Sequence, residues 1–280
     1  MTETTALDTA ALLDTTGIAP ADRVEAAALL AAPASGGTEA VLAFLASRLG
    51  SAEDSLPVLG ASQADWISAY LRFTPELLRF HEARGIDAAV SRATLADLGR
   101  NMAISRRVHG TFGMDTYGWL RHHYAGQLYQ LGRLQYLIHQ PTLPIPGVEP
   151  GEWVAGVHIP EDGGLGADAV GASLAMVRPF FAAHFPGHPV AHANCESWLL
   201  DPYLAPRLDP ASNIARFAAL FTPYGTPRDE PTDAVYFTFR TRSMEDLDAL
   251  PRETALQRVV LERIDAGGSW QLGFGALALR

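Results

Sequence analysis

The run Val190-Ala191-His192-Ala193-Asn194-Cys195-Glu196-Ser197-Trp198 carries the densest set of reactive side chains in this chain. Read as a strand, it alternates with period two. That puts His192, Asn194, Glu196 and Trp198 on one face, and Ala191, Ala193, Cys195 and Ser197 on the other. Polar side chains in succession on one strand face have two readings. They line a substrate cleft, with Glu196 placed to take a proton from an amine, or they form a solvated edge face. His158 ends an earlier apolar run, opposite the face of Trp153, Val157 and Ile159. A histidine there can act as general acid or base near neutral pH, or serve as a hydrogen-bonded strand end.

Between that run and a helical pattern lies Gly163-Gly164-Leu165-Gly166-Ala167. A glycine turn opening a helix exposes backbone N–H groups at the positive end of the helix dipole, which suits a diphosphate. The plainer reading is a connector that needs positive φ. The turn itself contains no arginine. Glu161, Asp162 and Asp168 surround it and suit a helix N-terminus that holds no anion. Cys195 is a nucleophile if a base adjoins it and otherwise a small buried hydrophobe. His184, His188 and His192 recur every four residues, the spacing of a helical metal site. Pro186, Gly187 and Pro189 break any helix there, and His122 and His123 face different ways on one, so no metal is expected.

The elements that must position these residues change character along the chain. Helical spacing and caps dominate the start: Asp22–Ala31, Glu39–Leu49, Ser62–Leu71, a helix opened by Thr74-Pro75-Glu76 and closed by Gly85, and one opened by Thr94 and running toward Val108. Tyr117–Tyr124 supplies the last helical turns. From Leu128 to Ile138 the texture is that of an interior strand, with helix as the competing reading. Glu152–Ile159 and Val190–Leu199 read as strands, Ala167–Phe185 and Asn213–Phe221 as helices. Strands are also expected at Val235–Arg240, Val259–Ile264 and Trp270–Leu279. The order is an all-helical part, residues 1–120, followed by an α+β part, residues 121–280.

Composition bounds the function. The chain has 280 residues, 48% hydrophobic and 19% charged, as in ordinary globular proteins. The net charge of −10 argues against a nucleic-acid partner, because phosphate contacts need clustered cations. No apolar run approaches the roughly 20 residues that span a bilayer, so no membrane partner is expected. A single cysteine and an acidic N-terminus without a basic leader fit a cytoplasmic location.

Several separated segments, in order, resemble one family: Gly126–Gln135, Val157-His158-Ile159-Pro160, Cys195–Pro202 and Ser212–Phe217. They look like bacterial acyltransferase-domain proteins with a helical N-terminal domain and a GNAT-like C-terminal domain. The resemblance covers most of the chain and is strongest from Arg107 to Phe221. It implies a GNAT-like mixed β-sheet with flanking helices, and acyl transfer from acyl-CoA to an amine of a small molecule or peptide. It places the pyrophosphate turn at Glu161–Ala167 and the thioester between Trp153–Ile159 and Val190–Trp198. Acyl-CoA would then meet His158, Ile159, Gly163, Gly164, Leu165, Gly166 and Ala167. The acceptor would meet His192, Asn194 and Trp198, with Glu196 or His158 as the base. The family turn usually begins with Arg or Gln three residues before its first glycine. Here Gly164 and Gly166 fit, and Glu161 takes the Arg or Gln position. That substitution leaves a second reading, a non-catalytic small-molecule-binding protein on a degenerate GNAT-like scaffold. A cysteine hydrolase using Cys195 is a third.

Overall fold

The computed structural model describes residues 8–241 and 243–280. The chain divides into two compact units, Met1–Gln130 and Leu131–Arg280.

The first unit is helical: α1 (Thr9–Thr15), α2 (Arg23–Ala31), α3 (Gly36–Arg48), α4 (Gln63–Ala83), α5 (Ala88–Leu95), α6 (Asp97–His109) and α7 (Tyr117–Tyr124). Its core gathers on α4, where Trp66, Ile67, Tyr70, Leu71 and Leu77 are buried. The sequence suggested two helices here, but one runs through Thr74-Pro75. Thr74 is no cap: its hydroxyl donates to the Tyr70 carbonyl at 2.9 Å, inside the helix. Pro75 removes one backbone donor, and the buried apolar stripe on both sides outweighs that loss. Thr94 does not open a helix either. It lies near the end of α5, where its buried Oγ1 accepts the Gln130 N–H at 3.0 Å.

The division between the units falls within β1 (Leu128–Leu131). The 128–138 run is thus not one strand. Gly132, at φ 67°, turns the chain into β2 (Leu134–His139), a conformation a side chain would oppose. The second unit continues with β3 (Trp153–His158), α8 (Ala167–His184), β4 (Val190–Ser197), α9 (Asn213–Ala218), β5 (Thr222–Pro223), β6 (Arg228–Asp229), α10 (Pro231–Phe239), α11 (Ala255–Asp265) and β7 (Gln271–Ala278). Within this unit the sheet order is β2-β3-β4-β7-β5, with β6 also pairing β7. It is mixed. β2–β3 and β4–β7 are antiparallel, while β3–β4 is parallel, with α8 as the crossover between them.

Residues 235–240 and 259–264 are not strands. Pro231 sits in the first turn of α10 with Asp233, and Thr254 and Gln257 form a capping box on α11. These start signals win over the β-branched and aromatic residues that follow, because β propensity reflects packing context more than backbone preference.

Register fixes the two sheet faces. Tyr136 pairs with Val157, and the Tyr136 hydroxyl meets Ser173 Oγ of α8 at 3.0 Å. Ser173 also accepts the Leu134 N–H at 3.1 Å and donates to the Leu131 carbonyl. The opposite face carries Val154, Phe274 and Ala276, packed with Ile145 and Tyr224.

Candidate active site

The parallel pairing of β3 and β4 begins at Trp153↔Val190 and ends at Gly156↔Asn194. Beyond that point each strand stays attached to its outer neighbour. β3 pairs β2 as far as Gln135↔His158, and β4 pairs β7 as far as Ser197↔Gly273. The ends of two adjacent strands are therefore held from outside and unpaired toward each other. A cleft of about 560 Å³ lies there, within the range of small-molecule sites.

Val157, His158 and Ile159 line one side of the cleft, and Cys195, Glu196 and Ser197 the other. The turn contributes Pro160, Glu161, Gly163, Gly164 and Leu165. Apolar walls come from Trp198, Leu199, Ile214, Phe237, Leu256 and Leu272. Trp198 is fixed from behind. It meets Trp270 edge-on, with ring centroids 6.0 Å apart. Asp201, buried just after it, accepts from Arg263 Nη1 at 2.7 Å, Gln271 N at 2.9 Å and Tyr203 N at 2.8 Å.

The cleft brings together His158, Ile159, Gly163, Gly164, Leu165, Glu196 and Trp198. Trp198 reaches it by leaving the strand: β4 ends at Ser197, and Trp198 opens a 3-10 turn. Gly166 and Ala167 are not among the lining residues; Gly166 is the N-cap of α8, which has no side-chain cap bond. His192 and Asn194 are also outside the lining. His192 lies beside Gly147. Asn194 is buried, its Oδ1 3.0 Å from His139 Nε2 and its Nδ2 donating to the Tyr224 hydroxyl at 3.4 Å. The His139 bridge crosses Gly156, where an added Cβ would come within 3.1 Å of Nε2. The polar face of β4 is thus closed by the chain's own side chains at Asn194 and open at Glu196. His188, in the spaced histidine set, packs against Trp153 with ring centroids 4.0 Å apart and planes tilted by 39°.

Two arginines of the cleft escaped the sequence reading. Arg133 follows Gly132 in the turn before β2. Its Nε donates to the Gly164 carbonyl, and its Nη2 to the carbonyls of Pro160 and Gly163, each at 2.9 Å. Arg240 follows α10 in a left-handed conformation, φ 61°, and pairs with Glu161 at 3.0 Å. A glycine at 132 inside a strand-like run was the available signal for the first. The second was hidden by reading 235–240 as a strand.

Burial pushes the Cys195 thiol up to about 12, with the neighbouring Glu196 carboxylate adding to the shift. That thiol stays protonated at neutral pH, so it is not poised as a nucleophile. The Tyr224 hydroxyl is also raised, first by burial and partly by Glu196.

A mixed sheet with two parallel strands parting over a glycine turn defines a GNAT-like domain. Residues 128–277 match the GNAT-like C-terminal domain, and residues 8–126 match the N-acyltransferase N-terminal domain. The chain belongs to this N-acyltransferase family. It is similar to a crystal structure of an acyltransferase in complex with decanoyl-CoA and teicoplanin. The two share 32% identity over 98% of this chain and 88% of that one, with a TM-score of 0.84. A mutant acyltransferase in complex with octanoyl-CoA is 31% identical over 98% of this chain and 88% of that one, TM-score 0.83. An acyltransferase in complex with CoA and 10C-teicoplanin is 30% identical over the same shares, TM-score 0.83. No curated protein matches the chain.

Proposed function

We propose that this chain transfers an acyl group from an acyl-CoA thioester to an amine, in the cleft between β3 and β4. The observation that carries this reading is the end of the parallel register at Gly156↔Asn194, directly below the glycine turn. A thioester in that gap lies along strand ends that no longer pair with each other. A backbone N–H of the His158–Ile159 strand end that faces the gap polarises its carbonyl; Pro160 has none to offer. An ammonium has no lone pair, so the amine must lose a proton before or during attack. Glu196 is exposed in the cleft wall and takes that proton directly or through one water, with His158 on the facing strand as the other base. The amine nitrogen then bonds to the carbonyl carbon, the C–S bond breaks, and the CoA thiolate leaves and is protonated.

The relatives crystallised with decanoyl-CoA, octanoyl-CoA and CoA support acyl-CoA as co-substrate. Those crystallised with teicoplanin or 10C-teicoplanin support a small-molecule or peptide-type acceptor. The non-catalytic alternative drew on Glu161 in the Arg or Gln position. Arg133 and Arg240 weaken it, because guanidinium groups reach the turn from outside. The test is calorimetry with free CoA and decanoyl-CoA, paired with a thiol-release assay over a panel of amines. Amine-dependent thiol release is expected. CoA binding without turnover on any amine, or no binding at millimolar CoA, would each return the protein to the binding-module reading.

A further inference from the structure

We infer that Arg133 is a positioning residue that sets the diphosphate turn in its donor-outward conformation. This inference rests on the acyl-CoA reading of the cleft. One guanidinium, only partly buried, gathers the carbonyl oxygens of Pro160, Gly163 and Gly164, all at 2.9 Å. In a planar trans peptide the C=O of one residue and the N–H of the next point in opposite directions. Drawing those carbonyls toward Arg133 therefore directs the N–H groups of Glu161, Gly164 and Leu165 away from it. Glycine at 163 permits the fold of the turn: its φ is 80°, and an added Cβ would lie 3.6 Å from Arg133 Nε. The turn thus presents a set of backbone donors, and the cation behind it adds positive potential. This accounts for a turn that lacks its own Arg and carries Glu161 instead: the organising cation comes from the turn before β2. The ligand group recognised is the diphosphate of coenzyme A. A lysine at 133 would keep the charge but lose the planar fork that reaches several carbonyls at once.

The experiment compares wild type, R133M and R133K, using free CoA as the probe. Calorimetry gives affinity, and amide exchange gives CoA-dependent protection at Glu161, Gly164 and Leu165. In wild type, CoA should protect those amides. Both variants should bind CoA at least tenfold more weakly and lose that protection, while thermal melting confirms the fold. If R133M does not fold, R133K carries the same comparison. Binding within twofold of wild type in the variants would overturn the role of Arg133 and leave the acyl-CoA reading intact. R133K matching wild type while R133M fails would show that charge alone matters, which also overturns it. Absence of CoA binding in wild type would instead remove the proposed function itself.

Discussion

The Glu161 carboxylate and the Arg240 guanidinium are 3.0 Å apart in the wall of the cleft, each with only about a fifth of its side chain exposed (21% and 24%). The pair joins the glycine turn to the end of α10. It also offsets the negative charge that Glu161 would otherwise set beside a bound phosphate. Arg240 holds a left-handed backbone, a conformation that costs a non-glycine residue about 1–2 kcal/mol. Such strain is maintained by surrounding contacts, and the ion pair is one of them.

Removing Arg240 should therefore act through Glu161. R240M leaves the carboxylate without this cation partner, and the KM for acyl-CoA should rise about tenfold, with kcat much less affected. E161Q in the R240M background should recover part of the loss, a coupling on the order of 1 kcal/mol. Steady-state kinetics on the cycle of wild type, both single variants and the double variant measures it. Additive effects would mean that the pair does not act as a unit.

Glu196 carries the proton-transfer hypothesis. E196Q preserves size and hydrogen bonding but not basicity, so kcat should fall by about 10²-fold or more with little change in acyl-CoA affinity. A kcat unchanged across about pH 6 to 9 would clear Glu196 of the role. H158Q measured in the same assay would then show whether the histidine on the facing strand is the base.

The sequence disclosed the site where local rules and tertiary demands agree. Gly163, Gly164, His158 and Glu196 were legible because a glycine turn between strand and helix, and a polar strand face, each have a local physical meaning. His192 and Asn194 obey the same alternation yet lie outside the cleft. Nothing in β4 says that His139, Tyr224 and the residues near Gly147 cover that stretch of its face. Period two identifies a face, but tertiary packing decides how far along it the cleft extends. α10 and α11 went unread for a related reason. Val235-Tyr236-Phe237 and Val259-Val260-Leu261 are strand-like by residue type, and the start signals that decide for helix, Pro231 and the Thr254–Gln257 capping box, lie upstream of them. Arg133 required knowing that the chain returns at Gly132, and its carbonyl partners lie on a different element.

His81 makes the first unit sensitive to acid. It is buried on α4, with Nδ1 3.0 Å from Ser91 Oγ, and burial lowers its pKa to about 4 from 6.5, with Arg84 and His123 adding to the shift. Between those values the unfolded chain binds a proton that the folded one refuses. Stability is thus fully present above about pH 6.5 and is lost as pH falls toward 4. From pH 7 to pH 5 this group alone should cost about 2 kcal/mol. Denaturant midpoints at the two pH values, for wild type and H81L, test it. H81L should be less stable at pH 7, because Ser91 loses its partner, but it should show a smaller drop on acidification. An equal drop in both proteins would assign the acid sensitivity elsewhere.

Cys195 lines the cleft beside the proposed base, so its role is directly testable. It is 1% exposed, and its thiol is held up to about 12. The thiolate needed for nucleophilic attack or alkylation is therefore scarce at neutral pH. In the native protein, iodoacetamide at pH 8 should leave Cys195 unmodified, and the same reagent in strong denaturant should alkylate it fully. C195A removes a small buried side chain from a packed strand and should cost about 1–2 kcal/mol of stability. If acyl transfer is direct from thioester to amine, C195A should retain kcat within about threefold, because no covalent step passes through the sulfur. Saturating one substrate should then give no burst of CoA release before the amine is added. Loss of turnover in a folded C195A protein, together with such a burst, would establish an acyl-cysteine intermediate and replace the direct mechanism.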